Sequence, residues 1–152
     1  MQLSDPADEI ANLLVRVYEI HEVIIAETGG IPGLREASML HAAVARPFAT
    51  YGGRELYSTD FEQAASLFHS LIKSHPFMDG TKRTAFAAAI YFLERCGQTI
   101  PTRFPINEVI EFCVSIAEEN LLQSRGQSVT PRTIPEIADW FRQLLSGVSG
   151  QR

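Results

Sequence analysis

Six residues within nine positions, His75, Asp79, Gly80, Thr81, Lys82 and Arg83, carry the groups that a phosphate-handling site needs. An imidazole at His75 can take a proton from a hydroxyl near neutral pH. Asp79 supplies a hard oxygen ligand suited to a magnesium ion that bridges phosphates. Gly80 removes the side chain where a phosphate must approach the backbone. The chain leaves one predicted helix at His75, turns through Pro76 and starts another near Thr81. The first amides of that second helix have no intrahelical partners, and the helix dipole makes them an anion site. From Ser70 to Thr84 there are three cations (Lys73, Lys82, Arg83) against one acid, in a chain of net charge −5. A base, a metal ligand, an amide cradle and cations in this order form the parts list of phosphoryl or nucleotidyl transfer. Singly, His75 reads as a helix cap, Asp79 as a turn residue, and Lys82 and Arg83 as solvated charges. The combination carries the functional reading.

Helices must position this loop. Ile10, Leu13, Leu14, Val17, Ile20 and Ile24 recur at helical spacing, with Asp5-Pro6 as a start signal and Gly29-Gly30 as a stop. A second helix is expected from about Glu36 to Arg46, ended by Pro47. Tyr51, Gly52, Gly53 and Arg54, continuing to Tyr57, show no helical period and predict an exposed loop or small flap. A third helix starts near Thr59 or Asp60 and places Phe61, Ala64, Ala65, Phe68, Leu71 and Ile72 on one face. The fourth runs from about Thr81 to Cys96 and closes at Gly97. Its stretch Ala85–Leu93 is apolar all round, which predicts the central buried helix. A fifth helix carries Val109, Phe112, Cys113 and Ile116. A last one carries Ile134, Ile137, Ala138, Phe141, Leu144 and Leu145 behind a Thr133/Glu136 capping box. Residues 123–132 read as a polar loop. No alternating run predicts a sheet, so the fold class is mainly α.

At 152 residues, 45% hydrophobic and 20% charged, the chain is expected to form a single soluble domain over 1–152. Its acidic balance argues against direct nucleic-acid binding. Cys96 and Cys113 lack metal-site spacing, and no apolar run is long enough to span a bilayer. The start MQLSDPADEI lacks the apolar core of a signal peptide, so a cytoplasmic location without membrane partners is expected.

The segment HPFMDGTKRTA, residues 75–85, resembles the Fic/Doc motif HPFx(D/E)GN(G/K)R, and its Lys-Arg-Thr-Ala ending looks like the Doc, or death-on-curing, branch. Gly30-Ile31-Pro32-Gly33-Leu34-Arg35, Ala45-Arg46-Pro47 and Phe92-Leu93-Glu94-Arg95-Cys96-Gly97 follow the same order. The resemblance implies a compact helical bundle of the Fido type with ATP and Mg2+ bound at the motif. It makes His75 the base, Phe77 the anchor of the loop, Asp79 the metal ligand, Gly80 and Thr81 with Lys82 the anion hole, and Arg83 the phosphate-binding arginine. It further implies a toxin that transfers a phosphoryl group from ATP to elongation factor Tu and is neutralised by a Phd-type antitoxin. Tyr51, Gly52, Gly53 and Arg54 correspond to the stretch that borders target docking, or are simply a loop.

Two departures bear on the chemistry. Fic enzymes that transfer AMP carry a second arginine where this chain has Phe86, and a glycine where it has Lys82. Both favour phosphoryl transfer, with a Fic-type AMP transferase as the alternative. Thr81 stands where the motif has asparagine, which predicts weakened transfer and keeps open an impaired domain retained as a binding partner. Ser115–Asn120 matches the (S/T)xxxE(G/N) string of Fic inhibitory helices but reads as structural. His21, His41 and His69 lack metal spacing and read as structural or surface residues.

Overall fold

The structure is a computed structural model that describes residues 5–147, so the ends of the predicted 1–152 domain, 1–4 and 148–152, lie outside the described residues. Its architecture is mainly α, as the periodicity predicts. Helix α1 spans Pro6–Thr28; the Asp5 side chain accepts from Ala7 N at its start, and Gly29 closes it. Helix α2 spans Ala37–Ala45 and passes into a 3-10 turn, Arg46–Phe48. The α-helix thus ends just ahead of Pro47, as expected, and Pro47 sits in the 3-10 turn, where its ring suits the first turn of a helical segment. Helices α3 (Asp60–Ser74), α4 (Thr81–Arg95), α5 (Ile106–Ser124) and α6 (Ile134–Leu145) complete the bundle. Thr59 caps α3 by accepting from Glu62 N, and the Thr133/Glu136 capping box opens α6. No described helix is long and apolar enough to cross a membrane.

The stretch after α2 contains a feature that alternation did not reveal. Thr50–Tyr51 (β1) and Arg54–Glu55 (β2) pair antiparallel, Thr50 with Glu55 and Tyr51 with Arg54. Two residues per strand are too few to show a period of two. Gly52 and Gly53 sit between them at φ 59° and 78°, the paired positive φ values of a tight type I′ hairpin turn.

The helix at the centre is α3, not α4. It packs against α2, the 3-10 turn, α4, α5 and α6, and Ala64, Ala65, Leu67, Phe68 and Leu71 on it are wholly buried. The even apolarity of α4 reflects two buried sides: Ala85, Ala88, Ala89 and Leu93 face the bundle, while Phe86 joins an aromatic cluster. That cluster knits α3, α4, α5 and α6 together. Phe68 meets Phe141 edge-on at 5.1 Å between centroids, and Phe112 stacks on Trp140 at 3.9 Å. The small alanines of α3 and α4 let the two helices lie close, and this pairing sets the turn between them, residues 75–80.

Candidate active site

The turn begins where α3 ends. His75 caps α3 in a left-handed conformation, φ 50°, and is the only non-glycine residue with positive φ among those described. This conformation breaks the helix in one residue and leaves the His75 side chain exposed. The last carbonyls of α3 find donors in the segment between α1 and α2. Arg35 Nε donates to His75 O and Arg35 Nη2 to Ser74 O, both at 2.7 Å. The backbone amides of Arg35 and Glu36 donate to Pro76 O at 2.7 and 3.1 Å. Leu34 and Phe77 form an antiparallel bridge, and Met78 N donates to Gly33 O at 3.0 Å. The motif loop is thus strapped along residues 33–36.

Phe77 is fully buried and lies flat on the ring of His21, 3.9 Å between centroids and 8° from parallel. His21 is itself buried, and its Nε2 lies 2.7 Å from Asp79 O. A carbonyl only accepts, so this nitrogen is the donor. One structural histidine on α1 therefore fixes both the anchoring phenylalanine and the backbone of the acidic residue.

Asp79 points its carboxylate along the start of α4. Oδ1 accepts from Gly80 N at 2.8 Å and Oδ2 from Ile31 N at 3.2 Å. These two amide bonds, assisted by Arg83, hold the carboxyl below its ordinary pKa. The side chain remains 43% exposed, and each oxygen keeps a further lone-pair direction. That donor set fits a magnesium ion held by one carboxylate together with nucleotide phosphates and water. Close packing protects the arrangement: a Cβ at Gly30 would come within 2.8 Å of Asp79 Oδ2.

Gly80 is the N-cap of α4 at φ 73°, a conformation open to glycine, and no side chain caps the helix. The first helical bond there is Thr84 N to Gly80 O. Among the described residues, no hydrogen bond engages the amides of Thr81, Lys82 or Arg83. A cradle for phosphate oxygens is therefore present in the backbone. Thr81 is 2% exposed, and its hydroxyl, like that of Thr84, is buried with no partner. Its backbone faces the cradle while its side chain turns into the protein.

The cations divide. Lys82 is exposed beside the loop. Arg83 Nη1 donates to Thr28 Oγ1 and to Gly29 O, and its Nη2 lies 3.8 Å from Asp79 Oδ1, so its guanidinium bridges the end of α1 and the loop. Lys73 does not belong with them. It pairs at 2.7 Å with Glu119 on α5. The three-to-one excess of cations along the sequence therefore reduces to Lys82 and Arg83.

His75 has its pKa lowered, first by partial burial and then by the charges of Arg35 and Lys82, with Asp79 opposing. A neutral imidazole at pH 7 is what a proton acceptor requires. The thiols are no rivals. Burial pushes both Cys96 and Cys113 up to about 11, which leaves them protonated at neutral pH.

Glu119, the acid of the inhibitory-helix string, is 3% exposed; its second oxygen accepts from Arg132 N at 3.0 Å. Ser115 of the same string accepts from Arg132 Nη1 at 2.6 Å. The string knots α3, α5 and the approach to α6, as its structural reading holds. The hairpin of Tyr51, Gly52, Gly53 and Arg54 stands out from the bundle with Tyr51 83% exposed. Among the described residues no hydrogen bond ties that hairpin to residues 75–83. Two larger concavities, a cleft of about 310 Å³ near Tyr91 and a groove of about 600 Å³ over Phe112 and Trp140, are lined by none of those residues either. At the candidate site His75, Lys82 and Arg83 are exposed.

His21 and Arg35 were absent from the sequence-based candidates. Both act on backbone carbonyls, which leave no trace in side-chain patterns. The order Gly30–Arg35 was the one available signal for Arg35.

A family model described as Fic/DOC family matches residues 13–93. A protein named Toxin Doc from Mycolicibacterium smegmatis is 38% identical over 89 residues, covering 59% of this chain and 68% of that protein. Protein kinase doc from Escherichia phage P1 is 28% identical over 126 residues, covering 82% and 87% respectively.

Proposed function

Because the chain belongs to the Fic/DOC family, we propose that it is a Doc-like toxin that transfers the γ-phosphoryl group of Mg-ATP to a hydroxyl of a protein target. The observation that carries this reading is the uncapped start of α4 with Asp79 turned onto it and His75 presented just before it. In this reading His75 accepts the proton of the attacking hydroxyl. The amides of Thr81, Lys82 and Arg83, with the side chains of Lys82 and Arg83, hold phosphate oxygens. Arg83 has donors to spare beyond its bonds to Thr28 and Gly29. Asp79 would hold the magnesium ion, whose contribution when bound is to neutralise charge on the phosphates. Phe77 and His21 keep the loop from shifting.

The target in this reading is elongation factor Tu, the setting is the cytoplasm, and the neutralising partner is a Phd-type antitoxin. The names Toxin Doc and Protein kinase doc support toxin and kinase. Phe86 supports phosphoryl over AMP transfer. It packs against Phe104 at 5.3 Å and Phe141 at 6.1 Å, an aromatic contact in place of the second arginine. Incubation with elongation factor Tu and ATP labelled at either the α or the γ phosphate tests the proposal. Label from the γ position, lost in His75→Ala, is the expected result. Label from the α position would make the protein an AMP transferase.

The buried, unpartnered hydroxyl of Thr81 favours one further reading, an impaired domain retained for binding. It requires no label from either position in a folded protein, and no relief of growth arrest by His75→Ala.

A further inference from the structure

We propose that Arg35 is the positioning residue of the base: its guanidinium clamps the carbonyls of Ser74 and His75 and fixes the backbone from which the imidazole is presented. The proposal rests on the reading of His75 as that base. A non-glycine residue held at φ 50° sits in a sparsely populated region, and its neighbours must over-determine it. Arg35 does so with three bonds to three successive carbonyls. Nη2 reaches Ser74 O, Nε reaches His75 O, and its own amide reaches Pro76 O, each at 2.7 Å. The planar fork of a guanidinium matches two adjacent carbonyls, whereas an ammonium cannot span them in one plane. The clamp also closes the C-terminal end of α3, where a cation suits both the orphan carbonyls and the helix dipole.

The same placement gives Arg35 an electrostatic effect on the ring. Around His75 the charged groups are Arg35 from the α1–α2 segment, Lys82 from α4, and Asp79 from the loop itself. Arg35 and Lys82 both disfavour the protonated ring, and Asp79 favours it. A residue that only capped α3 for stability would shift the titration of His75 through its charge but leave the turnover of folded enzyme untouched. A positioning residue changes the turnover as well.

The test uses the full chain as wild type, Arg35→Gln and Arg35→Lys. Nuclear magnetic resonance follows the His75 ring through a pH titration and the carbonyl carbons of Ser74 and His75, and transfer of γ-label is measured against pH. In Arg35→Gln the His75 midpoint should move up and both carbonyl signals should shift. The kcat should fall by about tenfold to a hundredfold with KM for ATP little changed, the scale of a small misplacement at a reacting group. His69 is the internal reference: its lowered pKa comes from burial, Lys73 and Arg46, with Glu119 opposing, so it should not move. Arg35→Lys should restore the His75 midpoint but not kcat, which separates charge from grip. Unmoved carbonyl signals, or full kcat in folded Arg35→Gln, would overturn the proposal. If Arg35→Gln does not fold, Arg35→Lys decides alone, full kcat counting against the clamp and lost kcat with an unmoved midpoint counting for it. If the wild type transfers no label, the functional reading fails, and the carbonyl signals alone still decide the clamp.

Discussion

Two carboxylates bind at or next to the ends of the turn between α3 and α4, Glu119 through Lys73 and Asp79 within the turn itself, and they are treated differently. Glu119 is buried, and its oxygens accept from Lys73 and from the Arg132 amide. Asp79 is half-exposed; its firm partners are backbone amides, and Arg83 stands off at 3.8 Å. A buried carboxylate satisfied by a partly buried ammonium and an amide holds helices together and has little left for a ligand. A carboxylate oriented by amides, with open lone pairs, is preorganised for a cation. Sequence alone shows two acids. Partner type and exposure tell which is spent and which is poised.

Exchange experiments can break this contrast. The largest expected effect is on Asp79→Asn, which keeps an acceptor for the Gly80 amide but removes the charge. Magnesium-dependent transfer should fall by roughly 10³-fold, the several kcal/mol that a bound metal supplies, while the urea midpoint stays close to wild type. Glu119→Ala should do the converse. Removing the acceptor of the Lys73 ammonium and the Arg132 amide costs about 1–3 kcal/mol of stability, read as a lowered denaturation midpoint, and transfer per folded molecule should persist. If Glu119→Ala abolishes transfer while folded, the contrast is wrong.

Thr81 sharpens the poised side. Its hydroxyl makes no bond, and asparagine there would offer both a donor and an acceptor. Thr81→Asn should therefore raise the ATP transfer rate, by up to about 10²-fold; an unchanged rate would contradict the expectation that Thr81 weakens transfer. The smallest effect is in the pH profile. The base works unprotonated and its pKa is lowered, so kcat/KM should rise with pH through a midpoint below the ordinary histidine value of 6.5. A limb centred above 6.5 would contradict the assignment of His75.

Much of this molecule was legible before its structure. Asp5-Pro6, Thr59 and the Thr133/Glu136 box are local signals, and the helices start where they stand. The candidate site was legible because its parts are contiguous, from His75 to Arg83. What stayed hidden is long-range. His21 reaches Asp79 across 58 positions, Arg35 reaches His75 across 40, and Lys73 meets Glu119 across 46. The last of these removed Lys73 from the phosphate cations. The uniform apolarity of α4 suggested a centre that belongs to α3, because composition records how much of a helix is covered, not how many neighbours cover it.

The left-handed backbone of His75 has one more consequence, for the fate of inactive forms. Glycine adopts that conformation without the cost that a Cβ imposes. His75→Gly should thus destroy the chemistry yet leave the fold as stable as before, or more so by up to about 1 kcal/mol. Thermal melting measures it. Where growth selects against an active toxin, loss of this side chain would yield a durable protein rather than a degraded one, still able to occupy whatever binds the active form.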